Sequence, residues 1–252
     1  MPSLSELPEE ILSGIMVRVQ HPYHFSCTSS LFYRLSLDLR VRAAWLFHHP
    51  TAIYHKSLIP VCLTSKSIPP VPTTWPILLL RERTIYHFIR LYNTSSISRL
   101  SHFDKCAIAV IWKMALENLW EYIIAAILQG CRTSTVINRP RDYIAGVFLS
   151  RTSSSAILRI ATLLKEGSQS GQALTLSEME NIICDGVPSN ALLLLSFMGP
   201  EYHEWILERA FHLRRMDVVR MLLDFMDTQK GSDSPGTARA ERLRVTFEDL
   251  AV

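Results

Sequence analysis

Apolar side chains recur at helical spacing along most of this chain and almost nowhere alternate residue by residue. The first such run predicts a helix over 8–19. Pro8 suits a first helical position, Glu9 and Glu10 complement the positive end of the helix dipole, and Leu7, Ile11, Ile15 and Val19 keep one apolar face. After the break "QHPY", the stretch "SCTSSLFYRLSLDLRVRAAWLF" predicts more helix, with Ser and Thr as caps and Leu31, Leu35, Leu39, Ala43 and Leu46 near one face. Residues 77–92, "ILLLRERTIYHFIRLY", resume the pattern. The strongest periodicity spans 104–129, where Ile108, Ile111, Trp112, Ala115, Leu119, Tyr122, Ile123, Ala126 and Ile127 share one stripe. Shorter helices are expected near 140–149, 154–165, 176–185, 189–198, 201–213 and 217–227. The expected fold class is all-α.

Two stretches interrupt the helices. Pro69, Pro70, Pro72 and Pro76 crowd the end of 48–76, so that segment reads as an irregular, Pro-rich connection. Beyond Asp227, "TQKGSDSPGTARAERLR" is small, polar and broken by Pro and Gly, and 228–252 reads as a disordered tail. The resulting organisation is a small helical unit over 1–47, the connection 48–76, a helical array over 77–227 and the tail.

Composition narrows the class. At 48% apolar and 19% charged, the chain has ample material for a core. The longest apolar runs, "YIIAAIL" and "ALLLLSFM", are too short to cross a bilayer, so no membrane partner is expected. Cys27, Cys62, Cys106, Cys131 and Cys184 are odd in number and scattered, without a C-x-x-C pair. They read as reduced packing residues of an intracellular protein, cytoplasmic or nuclear. "HEWILERAFH" holds His203, Glu204 and His212 but lacks metalloprotease spacing, and no G-x-S-x-G or phosphate-loop pattern occurs. No catalytic, cofactor or metal residues are assigned, and an enzyme is not expected.

Charge is uneven. Residues 11–116 carry twelve Lys and Arg against Asp38, Glu82 and Asp104, whereas 117–227 carry ten against thirteen acids. A basic half suits an acidic protein or, less well, nucleic acid, for which no recognition motif is present.

A weak internal repeat runs through the array. "ALENLWEYIIAAIL" from Ala115 and "AFHLRRMDVVRMLL" from Ala210 each place a β-branched pair eight and nine positions after the Ala, and an apolar pair twelve and thirteen after it. The pattern resembles the helical hairpin of ankyrin-type repeats, and the offset of 95 residues is near three such periods. The Gly that usually separates the two helices is missing at both sites. One long helix through 104–129 also satisfies the spacing.

The N-terminal stretch "LPEEILSGIMVRV" followed by "FSCTSSLFYRLSLD" resembles an F-box over about 40 residues, with Phe32, Leu35, Asp38 and Trp45 in matching places. The middle departs: "QHPYH" is shorter than the usual loop. The resemblance implies a partner, a Skp1-like adaptor with an acidic surface. Leu7, Pro8, Ile11 and Ile15 would face that adaptor, and Arg18, Arg34, Arg40 and Arg42 would supply charges around the contact. It further implies an unknown protein substrate held by the array, within an SCF-type ubiquitin ligase. The competing readings are a helical-repeat scaffold with no ubiquitin link and a nucleic-acid-associated protein using the basic 11–116 region.

Overall fold

Pro8 opens the first helix from the N-cap position, its carbonyl accepting from Ile11 N (3.0 Å) and Leu12 N (3.1 Å). The computed structural model describes residues 7–19, 28–54, 81–96, 99–151, 154–168 and 173–229. The expectations for the "QHPYH" loop, the Pro-rich stretch from 55 onward and the tail beyond 229 lie outside the described residues, as do Cys27 and Cys62. Among the described residues every regular element is helical and no strand occurs, so the all-α expectation holds. No helix among them is long and apolar enough to cross a membrane.

The chain divides into two compact units, residues 1–138 and 139–252. In the first, α1 (Glu9–Arg18), α2 (Ser30–Leu37), α3 (Leu39–His48) and the short α4 (Thr51–Tyr54) precede α5 (Glu82–Thr94), α6 (His102–Glu117) and α7 (Glu121–Gln129). α4 therefore places a helical turn at the start of the stretch expected to be irregular. The single helical run expected over 26–47 is broken at Asp38, whose extended backbone ends α2 and whose carboxylate accepts from Arg40 N at 2.6 Å to start α3. α3 lies between α1 and α5, and α7 packs on both α5 and α6. The boundary between compact units thus falls after Asn138 rather than at residue 47. The helices of the N-terminal segment share a core with α5, built on Leu12, Met16, Leu46, Ile85, Phe88, Ile89 and Tyr92.

The long stripe of 104–129 proves to be two helices. Trp120 N donates to Ala115 O (2.8 Å) and Leu119 N to Leu116 O (3.3 Å), with Leu119 at φ 55°. This is a Schellman turn, which closes α6 and reverses the chain into α7. Tyr92 and Asp104 fasten α5 to α6: the phenol donates to the carboxylate at 2.6 Å, while Asp104 completes a capping box with Ser101. Burial, reinforced by that carboxylate, raises the Tyr92 pKa above the ordinary phenol value. Arg132 donates to the carbonyls of Tyr92 and Ser95, filling acceptors left open at the end of α5.

The second unit holds α8 (Ile144–Phe148), α9 (Ser155–Glu166), α10 (Leu176–Asp185), α11 (Pro188–Phe197), α12 (His203–His212) and α13 (Met216–Gln229). Short 3₁₀ turns over Pro140–Tyr143 and Pro200–Tyr202 lead into α8 and α12. α11 packs on α9 and α13, and α10 on α12. Buried Asn190 donates to Phe148 O and Ser150 O, both at 2.9 Å, tying α11 to the end of α8. Arg215 donates to Ile183 O (2.9 Å), Cys184 O and Gly186 O (3.2 Å), and so caps the C-terminus of α10. Its hydrogen bonds to Asp217 raise the arginine pKa and lower that of the carboxylate.

α12 and α13 meet through the same turn as α6 and α7. Arg215 N donates to Ala210 O (3.0 Å), Arg214 N to Phe211 O (3.0 Å), and Arg214 sits at φ 56°. Ala115 and Ala210 are fully buried, as are Ile123, Ile124 and Ile127 in the first hairpin. Val218, Val219, Leu222 and Leu223 are buried in the second.

Candidate functional site

α1 presents apolar residues on two adjoining stripes. Leu12 and Met16 are fully buried and hold the helix to its own unit. The stripe expected to be its apolar face behaves differently: Ile11 is 53% exposed, Pro8 is exposed, and Leu7 and Ile15 are half-buried. Leu12 and Met16 are spaced i, i+4 just as Leu7, Ile11 and Ile15 are, so the apolar spacing does not distinguish the two stripes. The pairing with α3 decides which turns inward. Trp45 of α3 donates its indole N–H to Val19 O at 2.8 Å, fixing the end of α1 on α3. Phe32 and Leu35 on α2 are buried, in contrast to Ile11.

The arginines expected around this contact divide. Arg18, Arg34 and Arg40 are exposed. Arg42 is 2% exposed, and its Nε donates to Ser36 O, linking α3 back to α2. Burial, with the Arg81 charge adding to it, lowers the Arg42 pKa. Arg42 is therefore part of the packing of the unit and not a surface charge, a correction to the expected set. The side chain is long enough to bury its stem while its head finds a carbonyl, which the sequence pattern of a helix does not reveal.

At the C-terminus of α3, His49 stacks on Trp45 with ring centroids 4.9 Å apart. Burial lowers its pKa from the ordinary histidine value, against a hydrogen bond with the Val17 backbone that raises it.

Arg40 has company that the sequence does not announce. It lines a cleft of about 300 Å³ with Ala43, His87, Arg90, Leu91 and Thr94 where α3 meets α5. His87 also lines a neighbouring hollow of about 460 Å³, with Glu82, Arg83, Tyr86 and Tyr122. Arg90 lies 6.0 Å over the Tyr86 ring. The signal available beforehand was the basic excess of 11–116, which names no residue.

Among the described residues no group of three or more His, Cys, Asp and Glu could hold a metal ion. No family model, curated protein or solved structure matches this chain.

Proposed function

We propose that this chain is a non-catalytic protein–protein interaction module whose α1 docks a Skp1-like adaptor, in the role of substrate-recognition subunit of an SCF-type ubiquitin ligase. The observation that carries the reading is the division of labour on α1. One stripe, Leu12 and Met16, completes the unit's own core, and the next, Leu7, Pro8, Ile11 and Ile15, leaves apolar surface in water. Arg18 at the end of α1 and Arg34 on α2 are exposed, and with the apolar stripe they suit an acidic partner with an apolar groove. Arg40 remains accessible as a steering charge and Arg42 does not.

In this reading the hairpins α6–α7 and α12–α13 are degenerate ankyrin-like units, and the helices they belong to hold the protein substrate. Their common turn and their matching buried positions support that assignment.

The packing of α3 on α5 favours one alternative, a helical scaffold with no ubiquitin link, because the N-terminal helices are not a free-standing head. Capture of a purified Skp1-like adaptor by the full chain separates the two. Docking predicts capture at micromolar concentrations by the wild type and its loss in the L7A/I11A variant. Absence of capture by the wild type leaves the scaffold.

A further inference from the structure

The cleft between α3 and α5 is a second surface, and its chemistry does not depend on α1. Three arginines, Arg40, Arg83 and Arg90, line it and its neighbouring hollow. None of the three makes an ion pair among the described residues. Arg141, Arg209 and Arg215 pair with carboxylates and Arg132 caps a helix end, whereas these three keep their guanidiniums available beside one another. Half-buried Leu91 offers apolar surface in the cleft, beside His87 and Thr94. The neighbouring hollow offers two phenol rings, half-buried Tyr86 and Tyr122, the latter 71% exposed.

We propose that these two hollows, which share His87, together recognise an acidic peptide segment of a protein partner, one that carries an aromatic or large apolar side chain among its carboxylates. Guanidinium forks match carboxylates bidentately, and the exposed part of Leu91 gives a flanking side chain apolar surface to cover. Tyr86 and Tyr122 supply aromatic surface for a ring, and Tyr side chains lose little conformational entropy when they are covered. The charge pattern favours a peptide over nucleic acid. A nucleic-acid strand needs a run of cations along its phosphates, whereas here the cations are three and Glu82 stands among them.

The test is fluorescence anisotropy on the full chain with three labelled probes: a short peptide alternating Glu and Phe, its Gln-for-Glu counterpart, and oligothymidylate. The acidic peptide is expected to bind saturably and more weakly as salt rises, and the Gln peptide not to bind. The R83E/R90E variant, both sites being exposed, should melt like the wild type and bind the acidic peptide about tenfold more weakly or worse. The R83K/R90K variant keeps the charge but loses the bidentate fork, so it should bind more weakly than the wild type and more tightly than R83E/R90E. Absence of saturable binding to the wild type overturns the proposal, as does binding that R83E/R90E leaves unchanged. Tighter binding of oligothymidylate than of the acidic peptide overturns it in favour of nucleic acid. Adaptor capture is read separately in the same variants, so a failure of α1 docking and a failure of this cleft give different results.

Discussion

Leu119 and Arg214 hold the left-handed backbone conformation that their side chains disfavour, at φ 55° and 56°. Each stands in a Schellman turn at the place where Gly is commonest, and the strain of a Cβ there is about 1–2 kcal/mol. Arg214 is exposed, so replacing it removes little packing. R214G is expected to stabilise the second unit by about 1 kcal/mol after the entropy cost of Gly, read as a higher midpoint in urea. An unchanged or lower midpoint would show that Arg214 carries contacts worth more than the strain. His49 makes the other residue-level prediction. Its folded pKa is lowered by burial, so the native state prefers the neutral ring. Its contribution is complete above the unfolded value of 6.5 and is lost as pH falls through that value toward the lowered folded one. The fall in stability from neutral to mildly acid pH should therefore be smaller in H49F than in the wild type. Equal slopes would place the titration elsewhere.

At the level of elements, the sequence located most helices within a residue or two and misjudged where they break or which way they face. The apolar spacing of 104–129 continues unbroken through 118–120, because Leu119 belongs to the stripe even as its backbone turns. The reversal is encoded in main-chain hydrogen bonds, which periodicity does not register. Asp38 is the opposite case: it follows Leu37 in an apparently continuous run, yet its side chain caps the next helix. α1 shows why facing is harder to read than existence. Two apolar stripes lie side by side, and the packing of α1 on α3, with the indole bond from Trp45 to Val19, 26 residues away, accompanies the burial of Leu12 and Met16. Leu12→Ala should cost about 2–5 kcal/mol as a fully buried truncation, while Ile11→Ala should change stability by no more than about 0.5 kcal/mol. Denaturant titration of the two variants checks this directly, and equal costs would mean that Ile11 is covered by the protein itself. The cleft was legible only as a charge excess. Arg40 and Arg90 sit on helices far apart in sequence, and they meet because α3 and α5 pack.

Across the whole chain, each of two compact units carries its own core, and the boundary after Asn138 follows neither the Pro-rich stretch nor the change in charge. The N-terminal helices contribute to the first core through one stripe of α1 and through α3. What they leave over is an apolar face on α1 and a basic cleft beside α5. Docking of α1 is the central claim, and it has a thermodynamic signature, since burying apolar surface lowers the heat capacity. The most direct measurement is calorimetric titration of a purified Skp1-like adaptor into the full chain at several temperatures. Docking through Leu7, Pro8, Ile11 and Ile15 predicts micromolar or tighter binding with a negative heat-capacity change, both lost in L7A/I11A while L7A/I11A keeps the wild-type melting curve. No heat of binding, or binding that L7A/I11A leaves intact, would contradict it.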